Sequence, residues 1–192
     1  LIAAYFDRSI KKFELLSKEP ILEHKAIEEK ITGIHFSDDN SALCMLSNEN
    51  SIHIFSNSDS NPYKFLQLWD GGFLGMDVSP SGNFFAFESF DEKIRIFSTD
   101  DAIEYGVIND QTGTFINVMK FLKDENFLAT KSENHDLKIW NVNSREIAKT
   151  LTGASVPLFE ISQSNDGKTL ATAGADGNVY LWDLKSSTGA TK

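Results

Sequence analysis

Asp176-Gly-Asn-Val-Tyr-Leu-Trp182 is a turn that leads into an alternating apolar strand and ends on an aromatic six positions later. The same layout recurs upstream as Asp7-Arg-Ser-Ile-Lys-Lys-Phe13, Glu49-Asn-Ser-Ile-His-Ile-Phe55, Asp91-Glu-Lys-Ile-Arg-Ile-Phe97 and Asn134-His-Asp-Leu-Lys-Ile-Trp140. The closing aromatics Phe13, Phe55, Phe97, Trp140 and Trp182 lie 42, 42, 43 and 42 residues apart. A fixed period of this length marks a stacked supersecondary unit, one that cannot bury its own faces.

Other columns keep the register. A second strand ends at Ser47, Ser89, Ser132 and Gly174, and turns precede it at 37–40, 79–82, 123–126 and 164–167. These turns are built from Ser, Asp, Asn, Pro and Gly, the residues that favour turn geometry. Alternating runs at 31–36, 73–78, 116–121 and 158–161 supply a first strand. Fourth strands are read at 21–22, 63–68, 105–108 and 147–151. Four short strands per unit make one propeller blade, and period-2 patterning sends alternate side chains toward neighbouring blades. The predicted fold is all-β: a β-propeller with a partial blade at 1–24 and full blades at about 25–68, 69–110, 111–152 and 153–192. The expectation is one domain over 1–192, N-terminally incomplete and part of a seven-bladed ring. An open arc would otherwise leave strand edges and apolar faces exposed.

Composition narrows the function classes. Eighteen basic against 28 acidic residues give a net charge of −10, which disfavours a broad basic surface for nucleic acid. The longest apolar clusters, such as Phe84-Phe85-Ala86-Phe87, are too short to insert in a membrane. Cys44 is the single cysteine, which excludes an internal disulfide or a multi-cysteine zinc site, and it reads as a buried small hydrophobe. With no Asn-x-Ser/Thr acceptor, the expected setting is intracellular, cytoplasm or nucleus. Glu28-Glu29-Lys30 reads as a solvated loop.

Ser164-Asn-Asp-Gly-Lys-Thr-Leu-Ala-Thr-Ala-Gly-Ala-Asp-Gly-Asn-Val-Tyr-Leu-Trp-Asp183 closely resembles a WD repeat, and the upstream units resemble it more loosely. That resemblance implies a network in which a turn Asp joins a His, a Ser/Thr and the anchor Trp. Asp91 with Ser89, and Asp176 beside Trp182, match parts of it; Asp7 holds the same turn position. The family's Gly-His pair is absent, its place taken by Leu68-Trp69, Gln111-Thr112 and Gly153-Ala154, while His24 lies about three residues early. Phe55 and Phe97 replace Trp, and Glu49 and Asn134 replace Asp. Trp69-Asp70 lies 14 residues out of register with Phe55. Blades held mainly by apolar packing, with fewer polar staples, are expected.

No phosphate-binding glycine loop, His-Glu-x-x-His motif or nucleophile elbow occurs. His35 and His53 alternate with apolar neighbours and are expected to face away from the side those neighbours bury. The acidic pairs Asp38-Asp39, Asp100-Asp101 and Asp124-Glu125, like Asp59, fall in predicted turns. No catalytic residue, metal site or cofactor is predicted.

The resemblance implies a non-catalytic protein-interaction scaffold, a subunit or domain of a larger complex. Its binding face would carry the turns between second and third strands. Phe6, Arg8, Trp69, Phe90, Glu92 and His135 are the candidate partner-binding residues, because aromatic and Arg side chains dominate interface energetics. The other reading of Phe6 and Phe90 is that both rings tuck against a neighbouring blade. Expected partners are other proteins, with a basic peptide or protein compatible with the charge, and nucleic acid only indirectly or through a local patch. The alternatives are an RNA- or ribonucleoprotein-associated propeller in ribosome biogenesis or RNA processing, and a ubiquitin-ligase substrate receptor. The latter is weakened because Lys185 stands where an Arg would follow Trp182-Asp183. A propeller-borne hydrolase is the remaining class.

Overall fold

A computed structural model describes residues 2–4, 10–13, 19–24, 29–56, 63–67, 73–110, 116, 118–131, 135–186 and 191. They form five antiparallel sheets in chain order, arranged as a β-propeller. The first holds β1 (Ile2–Ala4), β2 (Ile10–Phe13) and β3 (Pro20–His24). The second holds β4 (Ile31–Phe36), β5 (Ala42–Ser47), β6 (Ser51–Ser56) and β7 (Tyr63–Gln67). The third holds β8 (Phe73–Val78), β9 (Phe84–Ser89), β10 (Lys93–Ser98) and β11 (Glu104–Asn109). The fourth holds β12 (Met119–Phe121), β13 (Phe127–Lys131), β14 (Leu137–Asn141) and β15 (Ile147–Leu151). The fifth holds β16 (Leu158–Gln163), β17 (Thr169–Gly174) and β18 (Val179–Asp183), with Thr191 forming a single antiparallel bridge to Leu181. In every sheet, strands adjacent in sequence are adjacent in space, so each unit is a meander.

The first strands β4, β8, β12 and β16 lie side by side, and the sheets stack face to face outward from them. Three apolar seams result. Cys44, Ile52 and Ile54 meet Met76, Phe85, Phe87 and Phe97 in the first. Ala86, Ile94 and Ile96 meet Met119, Phe121, Leu128 and Trp140 in the second. Ala129, Leu137 and Ile139 meet Leu158, Leu170, Tyr180 and Trp182 in the third. Equivalent repeat positions therefore perform equivalent contacts, and each fully buried Ile or Phe contributes on the order of 1.5–3 kcal/mol.

Because neighbours cover both faces of an interior sheet, burial does not alternate along its second strand, as in β5 and β9. All six residues of β5 are buried, and so are Ser51 to Ile54 of β6. His53, expected to face away from the buried side, is 2% exposed because that other side is covered too. Glu29, expected in a solvated loop, accepts a hydrogen bond from Ser51 and lies 3.1 Å from His53 Nε2. The first strand read at 116–121 begins only at Met119, since Ile116 gives its N–H to the Glu88 carboxylate at 2.6 Å instead of to a strand partner.

The anchor aromatics explain one departure from the repeat pattern. Trp140 Nε1 donates to Thr130 Oγ1 at 2.8 Å, and Trp182 Nε1 donates to Thr172 Oγ1 at 3.0 Å, all four side chains being buried. In the sheet anchored by Phe97 the Thr position holds Phe87, and Phe85, Phe87 and Phe97 stack with centroids 5.5–6.3 Å apart. In the sheet anchored by Phe55 the same position holds Met45, which packs with Leu43 and Phe55. Where the indole N–H is absent, so is its hydroxyl acceptor, as a buried polar atom without a partner costs about 1–3 kcal/mol. Trp140→Phe should accordingly destabilise the protein by about 1–3 kcal/mol in urea unfolding, and adding Thr130→Val should recover much of it. Additive effects of the two substitutions would refute the pairing.

Candidate functional site

The start of each first strand pairs with the end of the second, as Ile31 with Ser47, Phe73 with Ser89 and Leu158 with Gly174. The second-to-third-strand turns thus lie at the same end as the entrances to the inner strands. At that end the inner strands are irregular, with register shifts between Ile31 and Gly33, Phe73 and Met76, and Leu158 and Ile161. Bulges of this kind re-aim side chains. Phe159 and Glu160, inside the last of these shifts, are both exposed.

The turns carry a second regularity. Asn50, Glu92, His135 and Gly177 occupy one repeat position and all adopt left-handed backbone, with φ of 61°, 63°, 69° and 79°. Glycine and Asn take this conformation readily, and His is enriched there, but Glu at positive φ is uncommon. Beside Glu92, Phe90 is 49% exposed. The turn is braced from below. Arg95 donates to both oxygens of Asp91 at 2.8 and 2.7 Å, and Ser89 donates to the same carboxylate. Hydrogen bonding from Arg95 holds the Asp91 carboxyl well below the usual carboxylate range. In the last sheet Asp176 instead accepts from Asn178 Nδ2 at 2.7 Å and from Tyr180 OH at 3.0 Å, and Trp182 is bonded to Thr172. The Trp182–Thr172 bond is the Ser/Thr–Trp part of the network that the resemblance implies.

A cavity of about 610 Å³ runs along the inner strands. His35, Asp77, Lys120 and Ser162 occupy one repeat position on four successive strands and line it, together with Phe159 and Glu160. Asp77 is 5% exposed; its Oδ1 accepts from Lys120 Nζ at 3.2 Å and its Oδ2 from the Phe121 N–H at 2.7 Å. Burial raises this carboxyl to about 6, while Lys120 opposes the rise. His35 Nδ1 lies 4.0 Å from Asp77, and burial, then the charge of Lys120, lowers its affinity for a proton. Both Asp77 oxygens are engaged across the seam between β8 and β12, so the group joins two sheets. Among the described residues, no three His, Cys, Asp or Glu side chains converge as a metal-ligand set.

Of the sequence-derived candidates, Phe90, Glu92, Ser89 and Asp91 share one turn, and His135 occupies the equivalent turn of the next sheet. Phe6, Asp7, Arg8 and Trp69 lie outside the described residues, as does the side chain of Phe13. Sequence reasoning missed Asp77, Lys120, Glu88, Glu29 and the Asp110–Lys138 ion pair. One signal was available: His35, Asp77, Lys120 and Ser162 keep the repeat spacing, and the middle two are charges inside apolar strands.

These sheets, stacked around a common inner edge and bracketed by one recurring turn, define a repeat propeller. The family model for the WD domain, G-beta repeat, matches residues 145–183. A ribosome biogenesis protein WDR12 homolog of Drosophila mojavensis is 26% identical over 186 residues, 87% of this chain and 44% of its own length. The APC/C activator protein CDH1 of Saccharomyces cerevisiae is 22% identical over 161 residues, 81% of this chain and 28% of its own. The nuclear distribution protein PAC1 of Arthroderma benhamiae is 36% identical over 67 residues, 35% of this chain and 14% of its own. The chain spans less than half the length of these relatives. The chain is thus similar to the WD-repeat family, with the matched repeat at residues 145–183.

If Asp77 joins two sheets, Asp77→Ala should cost about 2–3 kcal/mol by urea unfolding, since a buried N–H and an ammonium lose their acceptor. Glu160→Ala, at an exposed position, should stay within about 0.5 kcal/mol. Equal effects would refute the assignment.

Proposed function

We propose that this chain is a non-catalytic interaction scaffold, working inside the cell as a subunit or domain of a larger complex. Its partner, in this reading, is a protein that docks on the turn-bearing end around Phe90, Glu92 and His135. One observation carries the proposal: Glu92 stands in left-handed backbone where the best-matching repeat has Gly177. A non-glycine residue there costs roughly 1–2 kcal/mol, and backbone strain of this kind persists mainly where the side chain has a use. Phe90, half exposed beside it, supplies the aromatic area that interface hot spots favour. The acidic balance of the chain suits a basic partner surface.

A second reading is favoured by the relatives' names, which include a ribosome biogenesis protein and a pre-mRNA-processing factor. Here the chain would serve a ribonucleoprotein assembly, touching RNA through a local basic edge. Lys120, Lys138 and Arg95 are each committed to carboxylates, which leaves them poorly placed for phosphate. A role as a ubiquitin-ligase receptor rests on likeness to the activator protein alone.

Affinity purification of the full-length protein with quantitative mass spectrometry tests the first reading. Phe90→Ser should deplete the principal partners several-fold while leaving the melting temperature unchanged. Glu92→Gly should also weaken capture, yet raise stability by about 1 kcal/mol through relief of strain. Undiminished capture by both variants would overturn the assignment of this face. Retention on RNA that falls steeply with added salt would support the second reading instead.

A further inference from the structure

Glu88 lies at the end of β9, two residues before Phe90, and its side chain enters the seam between the third and fourth sheets. It is fully buried: one oxygen accepts the Ile116 N–H at 2.6 Å, and the other, Oε2, has no hydrogen-bond partner. Asp110, at the end of the strand β11 in the same sheet, is 4% exposed; its Oδ1 accepts from Lys138 while its Oδ2 also has no partner. These are the two buried side-chain oxygens without a partner among the described residues.

A carboxylate oxygen left bare in an apolar seam is costly, because water is gone and nothing replaces it. The repeat underlines the oddity, since the positions equivalent to Glu88 are Leu46 and Lys131. The cheapest repair open to a carboxyl group is to keep its proton. We propose that Glu88, buried with one oxygen bare, is a proton-binding site that latches the seam between the third and fourth sheets.

The charged surroundings agree. Burial, then the charges of Glu92 and Asp110, push the Glu88 carboxyl up, to about 7, against the pull of the Ile116 N–H and of Lys131. Lys131 on β13 is itself driven toward its neutral form by burial, with Glu88 opposing. Lys138 on β14 is engaged by Asp110. The direction of the linkage is fixed by these facts. A carboxyl whose affinity for a proton rises on folding adds stability that is complete below its unfolded value of 4.5 and is lost as pH rises through about 7. The Ile116 N–H favours the charged form, so what protonation relieves is the burial of a negative charge with one bare oxygen in the seam beneath the Phe90–Glu92 turn.

Urea unfolding of the full chain between pH 5.5 and 8.5 tests this. Between those limits Glu88 should raise the wild-type unfolding constant by about thirtyfold, because only the interval from pH 5.5 to about 7 lies inside the window. Glu88→Gln, which mimics the neutral acid, should flatten that rise and make the variant the more stable protein at pH 8.5. Glu92→Gln, by removing a neighbouring negative charge, should move the wild-type transition to lower pH. The component of the protonated-carboxyl infrared band that titrates near pH 7 should be lost in Glu88→Gln and kept in Asp77→Asn, an outcome readable even where unfolding is not reversible. Parallel pH profiles for wild type and Glu88→Gln, or that component's absence at pH 5.5, would overturn the proposal.

Discussion

Every interior sheet of this protein is sandwiched, and from that constraint the rest follows. A sheet covered on one face can send every polar side chain to solvent on the other. A sheet covered on both faces has no such outlet, so a polar group must find a partner within the sheet or across the seam. The structure meets this condition in several ways. Trp140 and Trp182 each have a threonine beneath the indole N–H, whereas Phe55 and Phe97 sit over Met45 and Phe87. Asp77 reaches over to Lys120 and Phe121, and Glu29 comes in from a loop to Ser51 and His53. Divergence from the family pattern has proceeded by changing donor and acceptor together.

The polar staples expected to be few are present but relocated. Among the described residues three sheets have distinct polar clusters: Ser89–Asp91–Arg95 in one, Asp176–Asn178–Tyr180 in another, Glu29–Ser51–His53 in a third. Buried ion pairs such as Asp110–Lys138 add little net stability, because desolvation offsets most of the attraction. The apolar seams carry the stability, and the polar contacts make particular neighbouring sheets fit one another.

Much of the fold was legible because the repeat imposes register. The 42-residue spacing located the strands and turns to within a few residues, since turn chemistry and aromatic anchors recur together. Backbone conformation was legible only where a residue announces it. Gly177 and Asn50 advertise a left-handed turn; Glu92 and His135 share that conformation with no local signal, because the repeat geometry overrides their preference. The strand β12 was overestimated for a similar reason. A carboxylate from the neighbouring sheet, distant in sequence, takes the hydrogen bond that would have extended it.

By itself, then, the sequence determined the period, the four-stranded unit, the aromatic anchors and the turn positions, because these depend on local patterning repeated in register. Only the tertiary structure decided which charges are buried and with what they are paired. The hydrogen-bond partners of Glu88 and Asp77 are distant in sequence: Ile116 for one, Lys120 and Phe121 for the other. Their chemistry belongs to the seam, and the seam exists only once two sheets have met.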